Sequence, residues 1–142
     1  MTNNGCLQSG GIRERNKTMK RFELYIHIPF CKKKCAYCDF LSAPAEYRDR
    51  LAYVKRLKEE MAFYRETYGE YEADTVFIGG GTPTVLEGRH IAEIMEALRE
   101  NFHISPRAEI TIECNPGTLD QNKAAEIRGS GINRISLGLQ SA

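Results

Sequence analysis

The sequence predicts an α/β protein built as the first four strand–helix units of a parallel (β/α) barrel. Strand-like and helix-like segments alternate along the chain, four strands long. That alternation argues for a parallel sheet with right-handed crossovers. Each strand-like segment places aliphatic residues at alternate positions. The chain has 142 residues and stops directly after its fourth strand, whereas a complete eight-unit barrel needs about 250. The alternative is a small doubly wound α/β domain complete in itself.

Taken in order, residues 1–18 (MTNNGCLQSGGIRERNKT) read as a disordered tail, rich in Gly, Asn, Ser and charge and without a period. Cys6 is a bystander thiol in that tail, and Met19 is an alternative start. Residues 19–142 form the organised part. Its strands are FELYIHIP (22–29), DTVFIG (74–79), EITIEC (109–114) and RISLGLQ (134–140). Leu51, Val54, Leu57, Met61 and Tyr64 recur at helical steps. Ile91, Ile94, Met95, Leu98 and Phe102 repeat the pattern. A third helix opens with a capping box at residues 118–121 (TLDQ) and stops at Gly129. Residues 84–87 offer the second helix a similar cap.

Composition excludes several classes. Twenty basic and 19 acidic residues leave a net charge of +1, which gives no case for nucleic acid or an anionic membrane as partner. No apolar run approaches the roughly 20 residues of a spanning helix, so no integral membrane segment is expected. Residues 1–20 lack the apolar stretch of a secretory signal, which implies a cytoplasmic, reducing setting. The five cysteines are therefore not read as a disulfide framework.

Residues two apart on a strand share a face. Leu24, Ile26 and Ile28 oppose Tyr25, His27 and Pro29. Ile110 and Ile112 oppose Glu109, Thr111 and Glu113. Ile135, Leu137 and Leu139 oppose Arg134, Ser136, Gly138 and Gln140. The aliphatic faces should meet the helices. The other face is polar, and reads either as a cavity for a polar ligand or as a solvated surface.

Three cysteines, Cys31, Cys35 and Cys38, fall within eight residues directly after strand one. That is the sheet edge where α/β proteins place their sites. Three thiolates can hold three irons of a cubane and leave the fourth open. Zinc is the rival, although zinc sites favour four closed ligands. Cys114 has helix-facing parity and reads as a small buried side chain. His27, His90 and His103 are poorly placed as a fourth ligand. Lys32, Lys33 and Lys34 either offset the charge of a thiolate site or form a solvated basic loop.

The run GGGTPT (79–84) follows strand two at the same edge. Its glycines allow close backbone approach. It lacks the Gly-Lys-Ser/Thr of a phosphate loop, and suits a ligand with an ammonium group, or else an ordinary turn. Glu113 ends strand three, where it can accept hydrogen bonds from ribose hydroxyls or stand as a rim charge. Gln140 shares its parity.

Together, LYIHIPFC-x3-C-x2-C, GGGTPT, IECNP and ISLGLQS resemble the radical S-adenosylmethionine superfamily. More narrowly they resemble its branch of oxygen-independent coproporphyrinogen III oxidases and HemW haem chaperones, from Phe22 to the end of the chain. The resemblance implies an incomplete parallel (β/α)6 radical-SAM barrel, with residues 19–142 as the N-terminal part of its core domain. It implies a [4Fe–4S] cluster on Cys31, Cys35 and Cys38. The open iron would chelate S-adenosyl-L-methionine, whose cleavage by one electron yields a 5′-deoxyadenosyl radical. Tyr25, Gly80 and Glu113 match positions that bind this cofactor. Tyr37, Gly81, Thr82 and Gln140 match positions for a second cofactor molecule in the oxidase. The implied partners are haem or a porphyrinogen, met by regions beyond Ala142, and a one-electron donor such as flavodoxin or ferredoxin. The oxidase carries a further Cys two residues after its third ligand, where this chain has Phe40. The expected function is therefore a haem chaperone, with coproporphyrinogen decarboxylation as the first alternative and a zinc-stabilised binding module as the second.

Overall fold

A computed structural model of the chain describes residues 19–34, 38–39 and 41–138. Strand β1 (Lys20–Ile28) leads to helix α1 (Tyr47–Tyr64), then β2 (Tyr71–Gly80), a 3-10 turn (Pro83–Val85), α2 (Gly88–Asn101), β3 (His103–Cys114), α3 (Gln121–Gly129) and β4 (Arg134–Leu137). The four strands are parallel and lie in the order β1-β2-β3-β4. A doubly wound sheet reverses its strand order at a switch point. This one does not, so its connections all step in one direction, as in a barrel wall.

Strand parity decides the core. Ile26, Ile28, Val76, Ile78, Ile110 and Ile112 are all buried, and they meet Val54, Leu57 and Met61 of α1 and Ile91, Ile94, Met95 and Leu98 of α2. Each such side chain, fully buried, contributes about 1.5–3 kcal/mol. The helical stripes thus fall where the periodicity places them, and Cys114 is buried as its parity predicts.

Three local expectations are corrected. Strand β3 begins at His103, well before the alternating segment. Its pairing to β2 jumps from Ala73↔Ile104 to Thr75↔Glu109. The intervening stretch holds Pro106, which has no N–H for a ladder and is accommodated where the register shifts. The helix caps also differ. Asp120, not Thr118, caps α3 by accepting from Lys123 N at 2.8 Å, and α2 starts after Glu87 without a side-chain cap bond. Thr84 and Thr118 are instead buried and bonded to one another at 2.6 Å, which satisfies both hydroxyls inside the fold.

The third correction concerns β4. Ile135 pairs with Ile112 and Leu137 with Cys114, so both have helix-facing parity. They are nevertheless 45% and 57% exposed, because no element among the described residues packs over that end of the sheet.

Candidate cofactor and metal site

The loops that leave the C-terminal ends of β1, β2 and β3 meet at one edge of the sheet. The cysteine loop is anchored at its base by a parallel bridge between Phe30 and Ala43. Cys31 N donates to Ala43 O at 3.1 Å, and Ala43 N to Pro29 O at 3.0 Å. Phe30 is buried and packs edge-on against Tyr53 of α1, 5.2 Å between centroids. Cys31 and Cys38 are half-buried and free. Cys35 and Tyr37, and Gln140 beyond β4, lie outside the described residues. Lys32 Nζ donates to Gly117 O at 2.6 Å, so this lysine ties the cysteine loop to the turn after β3.

The glycine run is pressed against that loop. Gly79 and Gly80 are the last residues of β2, not a loop after it. Gly81 N donates to Ile28 O at 2.9 Å, and Thr82 N to Phe30 O at 2.7 Å, continuing the pairing past the strand ends. Gly80 has φ +116°, a conformation that favours glycine. A Cβ at Gly81 would lie 2.9 Å from Cys31 Sγ and would strike Phe30 O. A Cβ at Gly79 would come within 2.8 Å of Glu113 Oε2. The glycines are thus required first by the approach of β2 to its neighbours.

Glu113 points along the same edge. Its Oε2 accepts from Gly80 N at 3.0 Å. Tyr25 stacks on Phe77 of the paired strand, 6.1 Å between centroids. Its hydroxyl lies 3.2 Å from His27 Nδ1, while His27 Nε2 lies 3.1 Å from Leu41 O. A carbonyl only accepts, so Nε2 donates to Leu41 O, and in the neutral imidazole Nδ1 is then the acceptor for the Tyr25 hydroxyl. Partial burial, and secondarily the Glu113 carboxylate, raise the Tyr25 pKa above its ordinary value. Tyr25 is 56% exposed, so the face opposite the helices is open here and not an enclosed cavity among the described residues.

Thr82 is buried between the loops. Asn115 Nδ2 donates to Thr82 Oγ1 at 3.0 Å, and Thr82 Oγ1 lies 3.9 Å from Cys31 Sγ as donor. Tyr25, Gly80, Gly81, Thr82, Glu113 and Cys31 are therefore gathered at one edge. Sequence reasoning missed Phe77, whose parity opposite Val76 and Ile78 was a usable signal. It also missed Asn115, which reads from sequence as turn chemistry alone.

The donor set is thiolate, which suits an iron–sulfur cluster or zinc and not a hard cation.

The same residues carry a family relationship. Residues 25–142 match the radical SAM superfamily. The chain is 42% identical over 125 residues to the haem chaperone HemW of Buchnera aphidicola subsp. Schizaphis graminum, covering 83% of this chain and 32% of that protein. It is 40% identical over 120 residues to an oxygen-independent coproporphyrinogen III oxidase of Bradyrhizobium diazoefficiens, covering 83% and 27%. The solved coproporphyrinogen III oxidase (HemN) of Escherichia coli, a radical SAM enzyme, superposes with a TM-score of 0.79 at 31% identity, covering 89% of this chain and 29% of that one. A parallel sheet with its cysteine loop at the strand ends, matched over most of its length, makes this chain a member of the radical SAM superfamily. Membership implies S-adenosylmethionine and an iron–sulfur cluster. The chain spans about a third of the length of the curated relatives it matches. No helix among the described residues is long and apolar enough to cross a membrane.

Proposed function

We propose that this chain is the cluster- and cofactor-binding part of a haem chaperone of the HemW type. Cys31, Cys35 and Cys38 hold a [4Fe–4S] cluster with one iron left for S-adenosylmethionine. The observation that carries the assignment is the convergence of Cys31, Gly81 and Thr82 with the Glu113–Gly80 bond at one sheet edge. When bound, the cluster and S-adenosylmethionine together supply one-electron chemistry.

The chain's own groups then have separate tasks. The carbonyls of the glycine run would be the acceptors for the ligand's ammonium. Glu113 uses Oε2 on Gly80 N and keeps its other oxygen for ribose hydroxyls. Tyr25, whose pKa is raised above its ordinary value first by partial burial and then by the Glu113 carboxylate, gives the face an aromatic wall with Phe77. Tyr37, Gly81, Thr82 and Gln140 match the positions that hold a second cofactor molecule in the oxidase. The partners are haem, and a one-electron donor such as flavodoxin or ferredoxin, in the cytoplasm.

Cys38 is followed by Asp39 and Phe40, without the further Cys of the oxidase, which favours the chaperone. The relationship to coproporphyrinogen III oxidases supports oxidative decarboxylation of a porphyrinogen as the second reading. Anaerobic work on the whole protein separates the two. Saturable haem binding without coproporphyrinogen turnover is expected. Turnover by filled protein with reductant, and no haem binding, overturns the chaperone assignment.

A further inference from the structure

We infer that Asn115 is a positioning residue for the cluster, acting through the Thr82 hydroxyl on Cys31. The inference rests on the cluster assignment above. An amide –NH2 only donates, so Asn115 Nδ2 at 3.0 Å makes Thr82 Oγ1 the acceptor of that bond. The hydroxyl's own proton must then point elsewhere, and among the described residues it reaches Cys31 Sγ as acceptor, at 3.9 Å. The hydroxyl is buried, so water does not compete freely for that proton. Backbone bonds hold both ends of the relay. Thr82 N is on Phe30 O at 2.7 Å, and Cys31 N is on Ala43 O at 3.1 Å. Lys32 Nζ on Gly117 O, at 2.6 Å, fastens the same turn to the cysteine loop from the other side.

A hydrogen bond to a ligating sulfur stabilises the more negative, reduced state of a cluster and so raises its potential. The end of β3, which supplies Glu113 toward the organic ligand, thereby also sets the electron affinity of the metal through Asn115. Thr82 holds its hydroxyl on the cysteine side, so this side chain serves the cluster before any second cofactor molecule.

The test is the midpoint potential of the cluster in the whole protein, read by anaerobic titration with electron paramagnetic resonance. Asn115→Asp is nearly isosteric but cannot donate. The Thr82 proton then turns to the carboxylate and leaves Cys31. Thr82→Val removes the hydroxyl at constant shape. Both variants should lower the potential, with one-electron uptake weakened about three- to tenfold, while Thr82→Ser stays at the wild-type value. Filled Asn115→Asp and Thr82→Val proteins with unchanged potentials overturn the inference. So does failure of all three variants to take up iron while circular dichroism shows them folded, because the bond would then be building the site, not tuning it. A wild-type protein without sulfide-containing iron overturns the cluster assignment itself, which is a different result.

Discussion

Glu113 Oε2 accepts the Gly80 N–H at 3.0 Å, joining the end of β3 to the last residue of β2 where φ is +116°. Gly80 is buried, so its N–H has little access to water as a substitute partner. Glu113→Ala should therefore destabilise the protein by about 1–3 kcal/mol. Glu113→Gln keeps an acceptor oxygen and should cost less. Urea unfolding of the whole protein orders the three forms. Calorimetry with S-adenosylmethionine should show weaker binding in both variants, because neither retains the carboxylate charge.

Gly81→Ala places a methyl group against Phe30 O and 2.9 Å from Cys31 Sγ. The cysteine loop must shift, at a cost of about 1–3 kcal/mol for overpacking. Iron retained after anaerobic reconstitution should fall well below wild type. Gly129→Ala is the control, since nothing lies within 4 Å of its added Cβ, and it should fill normally.

Cys114 is 2% exposed, with its thiol 3.5 Å from Asn115 O and 3.8 Å from Thr118 Oγ1. Cys114→Ser should leave iron and sulfide content unchanged, whereas Cys31→Ser should abolish or sharply reduce both. Equal loss in the two variants would mean that the buried thiol takes part in binding.

Tyr53 Oη donates to His27 O at 2.5 Å, so Tyr53→Phe should cost about 0.5–1.5 kcal/mol. Burial first, and the Glu60 carboxylate second, raise the Tyr53 pKa above its ordinary value. A raised folded pKa means that the folded state holds this proton more tightly than the unfolded one. Its contribution is complete below pH 10 and is lost as pH rises through the folded value. Denaturation midpoints measured across the alkaline range should fall less steeply in Tyr53→Phe than in wild type.

Ile135 and Leu137 carry the core parity of Ile112 and Cys114 but are exposed, with no element over them among the described residues. Expressed alone, the 142-residue chain should self-associate through this end of the sheet. Light scattering should show the association weakened in Ile135→Lys/Leu137→Lys. An equally associated double variant would place the contact elsewhere.

Much of this fold was legible because its strands alternate cleanly. Ile26/Ile28 and Ile110/Ile112 fix which face meets the helices, and that parity in turn places Tyr25 and Glu113 together. Motif order then located Cys31 beside Gly81 without any knowledge of distance. What sequence could not supply were bonds between side chains distant along the chain. Thr84 and Thr118 look like helix caps, since Ser and Thr before a helix usually cap it, and only the packed structure shows that they satisfy each other. Asn115 fails to stand out for the same reason: its partner is Thr82, and Asn-Pro-Gly already has a sufficient local explanation as a turn. The early start of β3 was hidden by Pro106, which breaks the alternating pattern while the strand continues across a register shift.

The most direct test is metal and sulfide analysis of the anaerobically reconstituted whole protein, with electron paramagnetic resonance before and after S-adenosylmethionine. About four iron and four sulfide per chain are predicted, with a reduced-cluster signal that changes when the cofactor is added. About one zinc per chain without sulfide, or a filled cluster whose signal ignores the cofactor, contradicts the account.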